Sequence, residues 1–235
     1  MTKKILILFA FCGFVHQLQA QWLLNFGTAA TVAPKDFAFI SGTGGQVTFI
    51  KNPASNNFTP FLAHAGLRLG ILSNVDIGYR LCTVTMPWSS VGPTLGSAFD
   101  AKIRLTPTTA PYQVAVIVGG GYAYLSILNN HKSAWSPGTA VSVTRQLNSS
   151  SSITFNGRLM QTVIPTALGG KANNYVNIWG GSIGWAHNLN SVVGIIPEIG
   201  IFDVKGEMNH VTSNGIGLQA GMVLKVDFKK SQSIQ

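Results

Sequence analysis

The chain has 235 residues, a formal net charge of +9 and 26 glycines, and only 10% of its residues are charged, against about 25% in ordinary soluble domains. Low charge with positive mean hydropathy excludes a disordered chain and an ordinary cytosolic enzyme. Apart from Lys229-Lys230 the cations are scattered singly along the sequence, which excludes a nucleic-acid-binding patch.

Lys3-Lys4, the apolar run Ile5 to Val15, polar His16-Gln17 and small Ala20 form the three parts of a secretory signal, with cleavage expected before Gln21. The run is too short to anchor the chain in a membrane. Cys12 lies inside that run behind Phe11, which argues against a lipoprotein. Losing Lys3 and Lys4 takes the formal charge from +9 to +7, and Cys82 is then the only cysteine, so no intramolecular disulfide can form. Residues 21–35 read as a periplasmic lead, 36–228 as the folded body and 229–235 as a tail.

Within the body the period is two, that of strands whose side chains alternate between faces. Asp36 to Ile50 is the first expected strand, with a glycine break at Gly42–Gly45. A hairpin runs from Ala63 to Met86. Ala63, Ala65, Leu67, Leu69 and Ile71 alternate with His64, Gly66, Arg68 and Gly70; past Ser73-Asn74, Val75, Ile77, Tyr79 and Leu81 alternate with Asp76, Gly78, Arg80 and Cys82. Leu95 to Leu105 sets Leu95, Phe99, Ile103 and Leu105 against Asp100, Lys102 and Arg104. Tyr112 to Tyr124 follows, bent at Gly119–Gly121. Thr139 to Leu147 and Ile153 to Ile164 come next, the latter with Arg158 on its polar side. Tyr175 to His187 and Val192 to Phe202 follow, with Glu198 on the polar side of the second. Ile216 to Phe228 sets Leu218, Met222 and Leu224 against Gln219, Lys225 and Asp227.

The links alternate in length. Short ones fall at Ser73-Asn74, Pro107–Pro111, Asn148–Ser151 and Asn188–Asn190. Longer ones, rich in Gly, Asn, Ser and Pro, fall at Pro87–Thr94, Asn129–Gly138, Pro165–Asn174 and Lys205–Asn214. Outer-membrane barrels have short periplasmic turns and longer outer loops, whereas a sandwich has no reason to alternate. The expected fold is therefore all-β, a transmembrane antiparallel up-and-down barrel of about ten strands, with eight or twelve as alternatives and a soluble secreted sandwich as the competing class.

If the apolar face meets lipid, the lumen holds Arg68, Asp76, Arg80, Asp100, Lys102, Arg104, Arg158, Glu198, Lys225 and Asp227. Ten charges sharing one face of alternating strands has odds on the order of one in a thousand. In so small a barrel side chains fill much of the interior. These ions are thus expected to form a plugging network in which Arg68 and Arg80 find partners among Asp100, Arg104, Arg158 and Glu198, with His64 as a further member. Tyr79, Trp88, Tyr112, Tyr122, Tyr124, Trp135, Tyr175, Trp179, Trp185 and Phe228 suggest interfacial girdles near strand ends.

The stretch Leu67-Arg68-Leu69-Gly70-Ile71-Leu72-Ser73-Asn74-Val75-Asp76-Ile77-Gly78-Tyr79-Arg80-Leu81 resembles a hairpin found in small bacterial outer-membrane β-barrel proteins, and Gly27 to Lys35 looks like their lead into the first strand. The resemblance implies a bacterial outer-membrane location, contact with outer-membrane lipid and lipopolysaccharide, and insertion by the barrel-assembly machinery. It departs at the C-terminus, where Phe228 is followed by seven more residues rather than ending the chain.

Signals for catalysis are weak. His210 and Ser213-Asn214 faintly resemble a lipid A deacylase arrangement, with the spacing one residue too long. Asp203, Glu207 and His210 have only generic spacing for an omptin-like site. His64, His131, His187 and His210 are dispersed, so no metal is expected. Gly42-Thr43-Gly44-Gly45 lacks the Lys-Ser/Thr of a phosphate loop. The expectation is a non-enzymatic barrel without cofactors, structural, adhesive or receptor-like through outer loops that meet an extracellular ligand. A narrow solute channel and a lipid-modifying hydrolase are the alternatives.

Overall fold

The computed structural model describes residues 27–50, 61–85, 94–127, 130–164, 174–208 and 211–228. The expected signal at 1–20, most of the loops at Pro87–Thr94 and Pro165–Asn174, Trp88, His210 and the tail at 229–235 lie outside them.

Ten strands follow one another: β1 (Phe37–Ile50), β2 (Phe61–Leu72), β3 (Val75–Thr85), β4 (Thr94–Arg104), β5 (Tyr112–Ile127), β6 (Asn130–Gln146), β7 (Ser151–Ile164), β8 (Asn174–Asn188), β9 (Val193–Met208) and β10 (Val211–Phe228). Each pairs antiparallel with its sequence neighbours, and β1 closes on β10 from Phe37↔Phe228 to Ile50↔Gly215. Closure leaves no edge strand, so each described strand is hydrogen-bonded on both sides, as a wall in lipid requires. The sandwich alternative is thereby excluded.

The alternation becomes inside and outside. Ile199 is 62% exposed and Phe155 and Leu159 are each 56% exposed on the outer wall, while Asp76 and Asp100 are fully buried within. Such a continuous apolar surface marks a membrane-facing wall rather than a solvated one. Tyr112 and Tyr122 both face outward on β5, ten residues apart, which at the usual strand rise and tilt separates them by about 25 Å, the height of an apolar band. Phe37, Phe228 and Trp185 lie towards the rim of Tyr112; Phe49, Phe61, Trp135 and Trp179 lie towards the other. Phe37 stacks on Phe228 across the closing seam with ring centroids 4.8 Å apart. Tyr79 departs from the expected girdle position, since it sits in the body of β3 opposite Leu67.

Three expectations change. The glycines at Gly42–Gly45 do not break β1, which pairs without a shift along its whole length. Gly119–Gly121 do not bulge β5 either; they keep register with β4 and β6 and serve as small lumen or wall positions. The supposed loops at Asn129–Gly138 and Lys205–Asn214 are largely strand. The hairpin of β5 and β6 pairs as far as Ile127↔Asn130, and that of β9 and β10 as far as Met208↔Val211. Beyond the apolar band nothing selects hydrophobic residues, so Gly, Asn and Ser can extend a ladder there without the two-residue period that marks a strand in sequence.

Candidate functional site: a closed lumen

Lumen side chains are arranged by alternating size along the hydrogen-bonded rows. Arg68 on β2, Gly78 on β3, Asp100 on β4 and Gly119 on β5 are successive partners, so Gly78 leaves the space over which Arg68 and Asp100 meet. A Cβ at Gly78 would lie 2.7 Å from Arg68 Nη1 and 3.1 Å from Asp100 Oδ2. The neighbouring row repeats the device as Gly66, Arg80, Ala98 and Gly121.

The result is a buried ion chain across three strands. Arg68 binds the Asp76 carboxylate through Nε and Nη2, and its Nη2 lies 2.7 Å from Asp100 Oδ1. The other Asp100 oxygen accepts from Arg80 Nη2 at 2.7 Å. Each carboxylate thus bridges or ends a guanidinium pair, which offsets much of the desolvation that isolated ions would suffer. A second pair stands apart on the wall of β7 to β9. Arg158 Nη2 donates to Glu198 Oε1 at 2.8 Å and to Ser182 Oγ at 3.2 Å, and its guanidinium lies over the Phe202 ring at 4.7 Å. Glu198 is thus an ion-pair partner of Arg158. Lys225 and Asp227 pair at 2.8 Å near the short-turn rim, both about a third exposed.

Between these groups the lumen is not ionic. Ala98, Ile117, Ala140 and Met160 form one apolar cluster, and Ile40, Ile196 and Val223 another. Along β6 and β7 neutral groups pair directly, Thr144 with Thr154 at 2.8 Å and Ser136 with Thr162 at 2.9 Å. The expectation was a lumen largely plugged by charged side chains; hydroxyls and aliphatic side chains share it with the ions. His64 faces the lumen opposite Cys82, but its ring leans over Gly42 and neither ring nitrogen has a hydrogen-bond partner, so it is not a member of the ion network.

Sequence reasoning read residues 21–35 as a lead into the first strand but did not place any of them inside the barrel. Residues 27–33 enter the short-turn mouth of the barrel, with Ala29 fully buried. Lys102 Nζ donates to the Thr28 carbonyl at 2.7 Å and to the Ala30 carbonyl at 3.4 Å. The Ala29 N–H donates to Thr144 Oγ1 at 2.8 Å, and the Val32 N–H to Asp76 Oδ2 at 2.9 Å. The chain then turns at Lys35, whose φ of 69° is rare for a side chain with a Cβ. That turn is held because the Lys35 N–H donates to the Gly70 carbonyl while the Gly70 N–H donates to the Asp36 carbonyl. Arg104 closes the same rim by donating from Nη2 to the Ser73 carbonyl at 2.7 Å. Lys102 and Arg104 thus both reach backbone carbonyls at this mouth.

Gly70 is required by this approach, since a Cβ there would stand 1.9 Å from the Ala33 carbonyl oxygen and 2.6 Å from that of Val32. Both obstacles are backbone and cannot rotate away. Gly70→Ala is expected to expel the segment, destabilising the protein by about 1–3 kcal/mol as overpacking does. Trypsin cleavage after Lys35 should accelerate accordingly; an unchanged rate would show that the segment does not depend on this contact.

His210, common to both catalytic candidates, lies outside the described residues. Ser213 and Asn214 belong to β10, opposite Gly206 and Lys205, and not to a loop. Asp203 accepts from Trp179 Nε1 at 2.7 Å, an interfacial structural bond. Among the described residues no three His, Cys, Asp or Glu side chains converge as metal ligands.

No protein-family model matches the chain, and no curated protein matches it. Among solved structures it is similar to an outer-membrane channel from Pseudomonas putida F1, at 10% identity and a TM-score of 0.56, covering 88% of this chain and all of that one. The outer-membrane protease OmpT of Escherichia coli is a more distant likeness, at 7% identity and a TM-score of 0.48, covering 89% of this chain and all of that one. At these identities the likeness concerns the fold. The chain has the closed-barrel fold of bacterial outer-membrane β-barrel proteins.

Proposed function

We propose that the protein is an integral barrel of the bacterial outer membrane that does no catalysis, and that it is structural, adhesive or receptor-like through the surface opposite its short turns. The short turns and the N-terminal segment then face the periplasm, in keeping with the usual asymmetry of such barrels. Outer-membrane lipid and lipopolysaccharide surround the wall, the barrel-assembly machinery inserts it, and an extracellular ligand meets the far rim. The observation that carries this reading is the filled lumen: ion chain, aliphatic clusters and a mouth stoppered by the chain's own residues 27–33. The paired extensions of β5–β6 and β9–β10 give the far rim two ordered hairpins on which a partner can act.

Planar-bilayer recording of the refolded protein tests it. The expected trace stays at the bilayer background. Regular step conductance would overturn the reading and favour a narrow channel. A specific feature supports that second reading: the β2–β4 wall carries Arg68, Arg80, Lys102 and Arg104 against Asp76 and Asp100, so any open path would prefer anions. In that case Arg68→Ala or Arg158→Ala would change the conductance, whereas in a closed barrel neither creates regular steps.

A further inference from the structure

The groups that hold residues 28–32 read almost nothing but main chain. Asp76 and Thr144 each accept one backbone N–H, Lys102 donates to two backbone carbonyls, and the one side-chain bond is from Thr31 Oγ1 to the Ser73 carbonyl at 3.2 Å. Side chains enter only by size: Ala29 is fully buried and Val32 nearly so. Donors and acceptors alternate along the segment as they would along a strand docking on a template. The barrel supplies them from β3, β4 and β6, rigid elements whose geometry does not depend on the segment being covalently attached.

We propose that the short-turn mouth is a binding site for an extended peptide with small side chains, and that residues 28–32 are its tethered occupant. A peptide presented in trans competes with an intramolecular copy whose effective concentration is on the order of millimolar. The site is thus closed in the resting chain and opens to a partner only when its own segment is withdrawn. Calling this mouth periplasmic rests on the orientation proposed above; the site itself does not, and its test is independent of conductance.

The test uses the full chain in detergent and a fluorophore-labelled synthetic peptide of residues 27–33, read by anisotropy. Ala29→Trp cannot fit where Ala29 has no exposure, so its segment leaves the mouth. This variant should bind the peptide at least tenfold more tightly than the native chain. Adding Lys102→Met should lose most of that gain, and a peptide with proline in place of Ala29 and Val32, lacking both donated N–H groups, should not bind. Val32→Pro is a second variant, which removes the N–H given to Asp76 and stiffens the segment without adding bulk, and it should also bind the peptide better than the native chain does. If either variant keeps the heat-modifiable gel mobility of a folded barrel yet binds no better than native, the proposal is overturned. Equal binding of the proline peptide would overturn main-chain reading as well. The native chain gives a readout that needs no folded variant: about 1 mM peptide should speed trypsin release of the fragment beginning at Asp36, and no change there also overturns the proposal.

Discussion

Asp100→Ala is expected to destabilise the refolded barrel by about 3–5 kcal/mol, the largest loss among single lumen substitutions. Asp100 is fully buried and faces two guanidinium groups, Arg68 at 2.7 Å and Arg80 at 2.7 Å. Removing it takes that carboxylate from both Arg80 and Arg68, whose side chains are themselves buried. The penalty arises from the cations left behind rather than from the net worth of the pair. Asp227→Ala is the contrast: it also breaks a charge pair at 2.8 Å, but both partners are about a third exposed, so its loss should stay below about 1 kcal/mol. Urea titration in phospholipid micelles, followed by tryptophan fluorescence, measures both. Equal losses would mean that the Asp100 site is hydrated and that the lumen is not sealed there.

The contrast between those two aspartates also shows what the sequence can and cannot say. Alternation alone places Asp100 and Asp227 on the lumen face, because a strand offers only two faces and lipid forbids one of them. It does not say which ion meets which. Arg158 and Glu198 are 40 positions apart and meet across β8, over Ser182, only because three strands fall into one register. Arg68 and Asp100 meet because Gly78 separates them, and the role of a glycine two strands away from neither partner emerges only once pairing is known. Residues 27–33 were illegible for a different reason. Gly-Thr-Ala-Ala-Thr-Val-Ala has no period and no charge, and nearly every bond that holds it is made through its backbone, which is the same at every residue. The signal that could have found it lay in the barrel: Lys102 and Arg104 add two cations to a wall whose two carboxylates are already matched by Arg68 and Arg80. The hairpin extensions were missed because period two is imposed by the lipid boundary and lapses beyond it.

Ile199→Arg carries the membrane assignment itself and is expected to cost about 2–4 kcal/mol in lipid. Ile199 is 62% exposed, opposite Ile183 on β8 and Ala220 on β10, well inside the apolar band. On a soluble protein so exposed a position would tolerate arginine within about 0.5 kcal/mol, since the guanidinium would remain hydrated. In a bilayer the same group either leaves water or drags water and headgroups inward, and both are unfavourable. Thr212→Arg supplies the depth control. It lies on the outward face of β10, opposite Glu207 and beyond the level of Trp179, so its cost should fall to about 0–1 kcal/mol. Equilibrium unfolding in liposomes separates the two positions by chemistry that only depth in a membrane can supply. A pair of equal, small losses would remove the lipid from around this wall and require another covering for its exposed Leu, Ile and Phe side chains.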